Sequence, residues 1–383
     1  MVKIQKVILR DGSIRYRARG VSVGKDSKTG RRAQRTITRR TRKEVEDELH
    51  RIGYAVRQGT YTKPWDGLVP ELIDSYLQHG AIDWEANTRV SYANALQPAR
   101  EWFAHRKART VMREDIEAYR DHLLTKGRRR GGAAGTGLGA RSVNLALGQL
   151  QAAWDLAEID GRVARNPVRH VKRARHEPAD RATWSEAQVR QFIAAAANDR
   201  LYACWLLSVL GLRRAEVLGL RWDNIDYTAG IIAIVRTRVL VNGQAIEKCP
   251  KSRRSARTLP LFEPVTSALK ALRKRQLEER LAAGEAYADS GYVAADEQGE
   301  CFGIERFSDE FGRLCELARL PKCRLHDTRH SVNSLLEKLG VPDSLRAAWL
   351  GHTIAVNRGT YLHSRPEELA VISAALGQLF RAV

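Results

Sequence analysis

This 383-residue chain has little that could cross-link or anchor it. Its five cysteines, Cys204, Cys249, Cys301, Cys315 and Cys323, are odd in number, widely spaced and include no Cys-x-x-Cys pair. That argues against a disulfide framework and a zinc site, reads all five as structural thiols and fits a reducing cytoplasm. No apolar run approaches about 18 residues, no signal-peptide pattern is present and mean hydropathy is −0.41, so membrane attachment is not expected. Residues 127–139, Gly-Arg-Arg-Arg-Gly-Gly-Ala-Ala-Gly-Thr-Gly-Leu-Gly, lack the Gly-Lys-Ser/Thr ending and preceding strand of a phosphate loop, which argues against a nucleotide site. A flexible basic loop near DNA phosphates and a plain surface loop remain the two readings of that segment. Acidic residues are also scarce: 44 Asp+Glu face 65 Lys+Arg, giving +21 and a pI near 10.1. Such an imbalance suits a polyanion, and nucleic acid is the first candidate.

The length implies two or three domains. Residues 1–64 hold eighteen Lys/Arg against six Asp/Glu, a surplus of 12 in one sixth of the chain. The pattern there predicts a strand over Lys3 to Leu9, a turn at Asp11-Gly12 and a strand from Ile14 to Arg19 whose alternation aims Arg15, Arg17 and Arg19 at one face. A third short strand is expected at Arg35 to Thr38. Thr41 and Glu44 form a capping box for a helix carrying Val45, Leu49, Ile52 and Val56, which Gly59 stops. A small three-stranded sheet backed by one helix results, with a solvated basic arm as the alternative.

Residues 66–172 read as a helical bundle, with helices around Leu68 to Tyr76, Thr88 to Phe103, Arg113 to Lys126 and Arg141 to Asp160. Lys172 to Arg181 has the composition of a linker. The last domain, 183–383, opens with a Ser185/Gln188 capping box and an apolar helix from Tyr202 to Leu210. A strand over Ile231 to Val241, an Asn242-Gly243 turn, a return strand and a third strand near Arg257 to Leu261 follow. The remainder is helical, ending in a helix from about Pro366 to Phe380 whose Leu369, Ile372, Leu376 and Leu379 form an apolar stripe.

Six side chains then fall in one order: Arg213, Lys251, His326, Arg329, His352 and Tyr361. Arg213 starts a helix, where a guanidinium fork can meet a phosphate, although Glu216 is also placed to pair with Arg213 or Arg214. His326 and Arg329 are three apart on one helix face. Leu350-Gly-His352 adds a second imidazole and Gly359-Thr-Tyr361 a phenol. Singly each is unremarkable; the ordered set is specific.

In that set the chain closely resembles the tyrosine site-specific recombinases, the family of lambda-type phage integrases, over residues 183–383. The resemblance assigns all six as catalytic and places Lys251 on a β-hairpin turn before a strand ending in proline, here Thr258-Leu259-Pro260. Arg253, Arg254 and Arg257 then read as DNA phosphate contacts or a solvated turn. A tyrosine hydroxyl with a pKa of about 10 needs a base and an activated phosphorus. His326 is the candidate base, Arg213 and Arg329 a clamp on the non-bridging oxygens, His352 a hydrogen-bond donor and Lys251 the acid for the departing 5′ oxygen.

The resemblance further implies a 3′-phosphotyrosine intermediate, no metal or other cofactor, and a tetramer on two duplexes of DNA. It makes 1–64 an arm-type DNA-binding domain, with Arg15, Arg17 and Arg19 as DNA contacts, 66–172 a helical core-binding domain, and 183–383 an α+β catalytic domain. The fold class is therefore multidomain, mainly α with small β-sheets. The C-terminal helix would dock on a neighbouring protomer or pack on its own domain. The function expected is integration or excision of a phage or mobile element, in the cytoplasm and at the nucleoid. A host DNA-bending protein and a directionality factor are candidate partners. The competing readings are a transposon or resolvase-type recombinase and a catalytically inactive DNA-binding regulator.

Overall fold

The computed structural model describes residues 2–9, 11–25, 32–58, 65–80, 82–129, 133, 135–176, 183–249, 256–351 and 366–380. Lys251, Arg253, Arg254, His352 and Tyr361 lie outside the described residues, as does Gly59. The chain divides into two compact units, Met1–Glu177 and Pro178–Val383.

The first unit begins with strands β1 (Ile4–Ile8), β2 (Ile14–Lys25) and β3 (Arg32–Arg39), antiparallel in that order. The β1–β2 turn forms because Asp11 accepts hydrogen bonds from the Ser13 backbone N–H at 3.0 Å and hydroxyl at 2.7 Å, while Gly12 takes φ +78°. Register places Ala18 between Ile4 and Ile37. Ala18, Val21 and Ile37 bury against Val45 and Ile52 of helix α1 (Arg42–Arg57). The expected capping box starts that helix: the Glu44 N–H donates to Thr41 Oγ1 at 3.2 Å and the Thr41 N–H to the Glu44 carboxylate at 3.3 Å. Arg15, Arg17 and Arg19 alternate with Tyr16 and Ala18, which face this core, so the three arginines share the other face. Arg19 is exposed and Arg17 donates from Nε to Thr38 Oγ1 at 3.3 Å.

Four helices follow in the same unit: α2 (Val69–Gly80), α3 (Ala86–Trp102), α4 (Arg113–Lys126) and α5 (Ala140–Ile159). Their apolar faces meet at Ile73, Leu96, Ile116, Leu147 and Trp154, each at most 1% exposed. The glycine-rich loop closes on itself through Arg128 N–H to Thr136 O at 2.8 Å, and its far end is tied to α4 by Leu138 N–H to Leu123 O at 2.8 Å. Lys172 to His176, expected as the start of a linker, instead hold onto the helices. Asn144 donates to Ala174 O at 2.8 Å and accepts from its N–H at 2.9 Å, so the backbone there is satisfied by α5 rather than by water.

The second unit contains α6 (Glu186–Ala196), α7 (Tyr202–Val209), α8 (Arg214–Leu218), β4 (Ile225–Asp226), β5 (Ile231–Ile234), β6 (Thr237–Val241), β7 (Gln244–Lys248) and β8 (Arg257–Pro260). It continues with α9 (Glu263–Ala283), α10 (Ile304–Leu317), α11 (Leu325–Lys338), α12 (Asp343–Leu350) and α13 (Pro366–Phe380). The single strand expected over Ile231 to Val241 is two strands in two sheets, β4-β5-β8 and β6-β7. The break lets Ile232 and Ile234 enter the core beside β8, while Thr237 passes under the end of α8. There a Cβ on Gly219 would lie 2.7 Å from the Thr237 Cα. The β6–β7 turn uses φ +51° at Asn242 and +80° at Gly243, the conformation its Asn-Gly pair favours.

Aromatic stacking fills the centre of this unit, with Trp205 and Phe307 ring centroids 4.3 Å apart. Leu369, Ile372 and Leu376 of α13 are at most 2% exposed in the same core, so the C-terminal helix packs on its own domain in this single chain. The Leu379 side chain lies outside the described residues. Cys204, Cys315 and Cys323 are buried, whereas Cys249 is exposed, unlike the structural thiol expected there. No helix among the described residues is long and apolar enough to cross a membrane.

Candidate active site

Arg213 precedes α8, and α11 carries His326 and Arg329 a turn apart. The two arginine motifs are laced together through backbone carbonyls. Arg329, 4% exposed, donates from Nη1 to Gly211 O at 2.8 Å and from Nη2 to Leu350 O. Arg213 donates from Nη2 to Gly351 O at 2.9 Å. Each arginine is thus held by chain that belongs to another motif of the set.

Both receiving glycines require their residue type. Gly211 has φ +92°, and a Cβ there would lie 2.5 Å from Leu350 Cδ2. Gly351 has φ +62° at the left-handed end of α12, where a Cβ would lie 2.8 Å from Arg257 Nη1. The surrounding helices are pinned by buried hydrogen bonds. Trp349 Nε1 donates to Leu210 O at 2.9 Å, Thr328 Oγ1 to Ser208 O at 3.1 Å, and the Trp184 N–H to Ser331 Oγ at 2.8 Å.

Glu216 lies at the centre, 2% exposed. It accepts from the Arg213 N–H at 2.9 Å, from Arg213 Nη1 at 2.7 Å, and from Arg257 Nη1 and Nη2 at 3.0 Å each. Arg257 also donates from Nε to Trp349 O at 2.7 Å. Desolvation alone would raise the Glu216 pKa, but Arg257 and then Arg213 outweigh it, and the carboxylate titrates below its usual range. Of the two pairings open to Glu216 in the sequence, Arg213 is realised; Arg214 Nη1 donates instead to Ser308 Oγ at 2.6 Å. Arg257, read as a phosphate contact or part of a solvated turn, has a 7% exposed side chain committed to Glu216 and backbone.

The electrostatics around the other two groups favour anion binding beside a neutral imidazole. Burial first, then the charges of Arg213 and Arg257, push the Arg329 pKa down to about 9, so it remains a cation at neutral pH. A phosphate would relieve that crowding of positive charge. His326 is exposed and makes an edge contact with His330, centroids 5.4 Å apart. Desolvation, then His330, Arg329 and Arg213, lower its pKa, which keeps it unprotonated and able to accept a proton near pH 7.

Of the six residues named from sequence, the structure brings Arg213, His326 and Arg329 together; Lys251, His352 and Tyr361 fall outside the described residues. Glu216 was legible as a pairing partner from its spacing to Arg213. The part played by Arg257 and by the carbonyls of Gly211, Leu350 and Gly351 had no signal in the sequence. Among the described residues no group of three or more His, Cys, Asp or Glu could hold a metal ion.

Residues 183–368 match the phage integrase family. The chain is 30% identical over 212 residues to the "Tyrosine recombinase XerC-like" protein of Caldanaerobacter subterraneus, covering 52% of this chain and 54% of that protein. It is 24% identical over 364 residues to the ICEBs1 integrase of Bacillus subtilis, covering 94% of this chain and 96% of that protein. The chain thus spans about half the length of the first relative and nearly all of the second. Among solved structures, the Tn1549 transposon integrase in complex with a circular intermediate DNA aligns with a TM-score of 0.61 at 18% identity, covering 81% of this chain and 99% of that one. A lambda integrase from a tetramer bound to a Holliday junction aligns with a TM-score of 0.56 at 17% identity, covering 94% and 97%. At such identities the structural likeness speaks for the fold.

Proposed function

This chain belongs to the phage integrase family of tyrosine recombinases, and on that premise we propose that it is a site-specific DNA integrase. It cleaves and rejoins DNA through a 3′-phosphotyrosine on Tyr361 to integrate or excise a phage or integrative element. The observation that carries the reading is the lacing of Arg213 and Arg329 into one cationic site beside an imidazole whose pKa is lowered. The near full-length match to the ICEBs1 integrase of Bacillus subtilis supports integration over a resolvase reading, because at 94% of this chain it takes in the basic front.

In this mechanism Arg213 and Arg329 hold the two non-bridging oxygens of the scissile phosphate. Their charge grows more effective as the phosphorus becomes pentacoordinate. Losing one such donor costs about 10²- to 10³-fold in rate. His326 takes the proton from the Tyr361 hydroxyl as it attacks phosphorus, and His352 adds a hydrogen bond. Lys251 gives a proton to the departing 5′ oxygen. The freed 5′ hydroxyl of the partner strand attacks the phosphotyrosine to close the new backbone, so the bond energy stays in the protein-DNA link and no cofactor is consumed.

The assignments extend to the other modules. Residues 1–64 bind arm-type sites with Arg15, Arg17 and Arg19, residues 66–172 bind the core site, and Arg253 and Arg254 contact backbone phosphate near the reacting strand. Four copies act on two duplexes, with a directionality factor and a host DNA-bending protein as accessory partners, at the nucleoid.

A library of nicked duplexes with a randomised core tests this reading. The nick lets the cleaved flank diffuse away, which traps the adduct. Wild-type protein should shift to a covalent species on denaturing gels, and sequencing the captured DNA gives the core site. No adduct from wild type, or one that persists in Tyr361→Phe, overturns the reading.

A further inference from the structure

Arg257 has no place in the mechanism above, yet it touches three parts of the site. It belongs to β8, holds both oxygens of Glu216 at 3.0 Å and donates to Trp349 O at 2.7 Å. It also packs against Gly351, whose carbonyl receives Arg213. The side chain is 7% exposed, so DNA phosphate is not its natural partner.

We infer that Arg257 is a positioning residue for cleavage, acting through Glu216 on Arg213, and this inference rests on the recombinase reading. Glu216 has two carboxylate oxygens and two guanidiniums to satisfy. Because Arg257 donates one bond to each oxygen, Arg213 spends one terminal nitrogen on the carboxylate and one on Gly351. Its remaining donors can turn toward a phosphate. Without Arg257, the buried carboxylate has, among the described residues, only Arg213 to neutralise it and draws that fork inward, away from the non-bridging oxygen.

Charge balance points the same way. Arg213, Arg257 and Arg329 against Glu216 leave a net charge of about +2, which matches the two negative charges of a pentacoordinate phosphorane. Removing Arg257 halves that. Replacing it by lysine keeps the charge but cannot span both oxygens and the Trp349 carbonyl.

A double-mutant cycle in single-turnover cleavage separates positioning from a merely structural role, using a nicked duplex of the core sequence captured from the randomised library. Arg257→Gln should slow adduct formation about 10²-fold, Arg257→Lys about 10-fold, both with duplex affinity within about twofold of wild type because Arg257 does not face DNA. In an Arg213→Lys background, Arg257→Gln should cost less than about threefold more, since its target is already lost. Losses that multiply across the cycle, or a wild-type rate in Arg257→Gln, overturn the inference. Should Arg257→Gln not fold, as urea unfolding would reveal, the same cycle with Arg257→Lys decides the matter. Failure of wild type to form any adduct would instead sink the recombinase reading, so the two failures are distinct.

Discussion

Arg329 donates from Nη1 to the carbonyl of Gly211 at 2.8 Å, so one arginine of the site is aimed by backbone two residues upstream of the other. A side chain at Gly211 would strain φ +92° and strike Leu350. Gly211→Ala is therefore expected to cost about 2 kcal/mol of stability in urea unfolding and at least about 10-fold in adduct formation. Unchanged values of both would mean that the lacing does not position Arg329.

In the proposed mechanism the lowered pKa of His326 sets the acid limb of cleavage. The neutral imidazole is the active form, so cleavage should hold from pH 8 down to about 6.5 and fall only below it. Arg213→Lys keeps a positive charge beside the imidazole and should leave that limb in place. His326→Gln should erase the limb along with most of the rate, measured as single-turnover rate against pH.

Glu216 titrates low when folded, so its contribution to stability is present above about pH 4.5 and disappears as pH falls through the folded value. Urea midpoints for wild type should drop between pH 5 and pH 3. In Glu216→Gln the buried Arg257 loses its counter-charge, and stability at pH 7 should fall by about 3 kcal/mol, with a flatter acid limb. A variant as stable as wild type at pH 7 would show that the carboxylate is dispensable.

Ile372 is fully buried where α13 meets its own domain. Ile372→Ala should cost about 3 kcal/mol in a dilute, DNA-free sample. If the helix were undocked in the free protein, the substitution would leave the unfolding midpoint where it was.

Deleting residues 1–64 removes a surplus of 12 positive charges. Cleavage of a core duplex should survive, while affinity for DNA carrying flanking arm sites falls and its dependence on log salt becomes shallower. Equal loss of cleavage and arm binding would contradict a separate arm-binding role, as read by gel shift and adduct assays at several salt concentrations.

Much of this architecture was legible because local rules are strong where they apply. The Thr41/Glu44 and Ser185/Gln188 boxes and the Asn242-Gly243 turn follow from capping and turn chemistry, and the limits of α4 and α13 from apolar periodicity, each within a few residues. The strand break after Ile234 was not legible, since Val235 and Arg236 carry no breaker and the split answers to packing under Gly219. Arg213, His326 and Arg329 could be found by order and spacing. The Glu216–Arg257 pair joins positions 41 apart, and a run of basic residues around 251–257 reads as solvated until the fold buries one of them.

Gly351 shows that the proposed reactive residues are not the whole of the site. A variant can keep all six of them in its sequence and still lose the joint that seats Arg213. A side chain at 351 would collide with Arg257 at 2.8 Å and displace the carbonyl that holds Arg213. A side chain at Gly351 or Gly211 would therefore silence the site of this chain from outside the six proposed reactive positions.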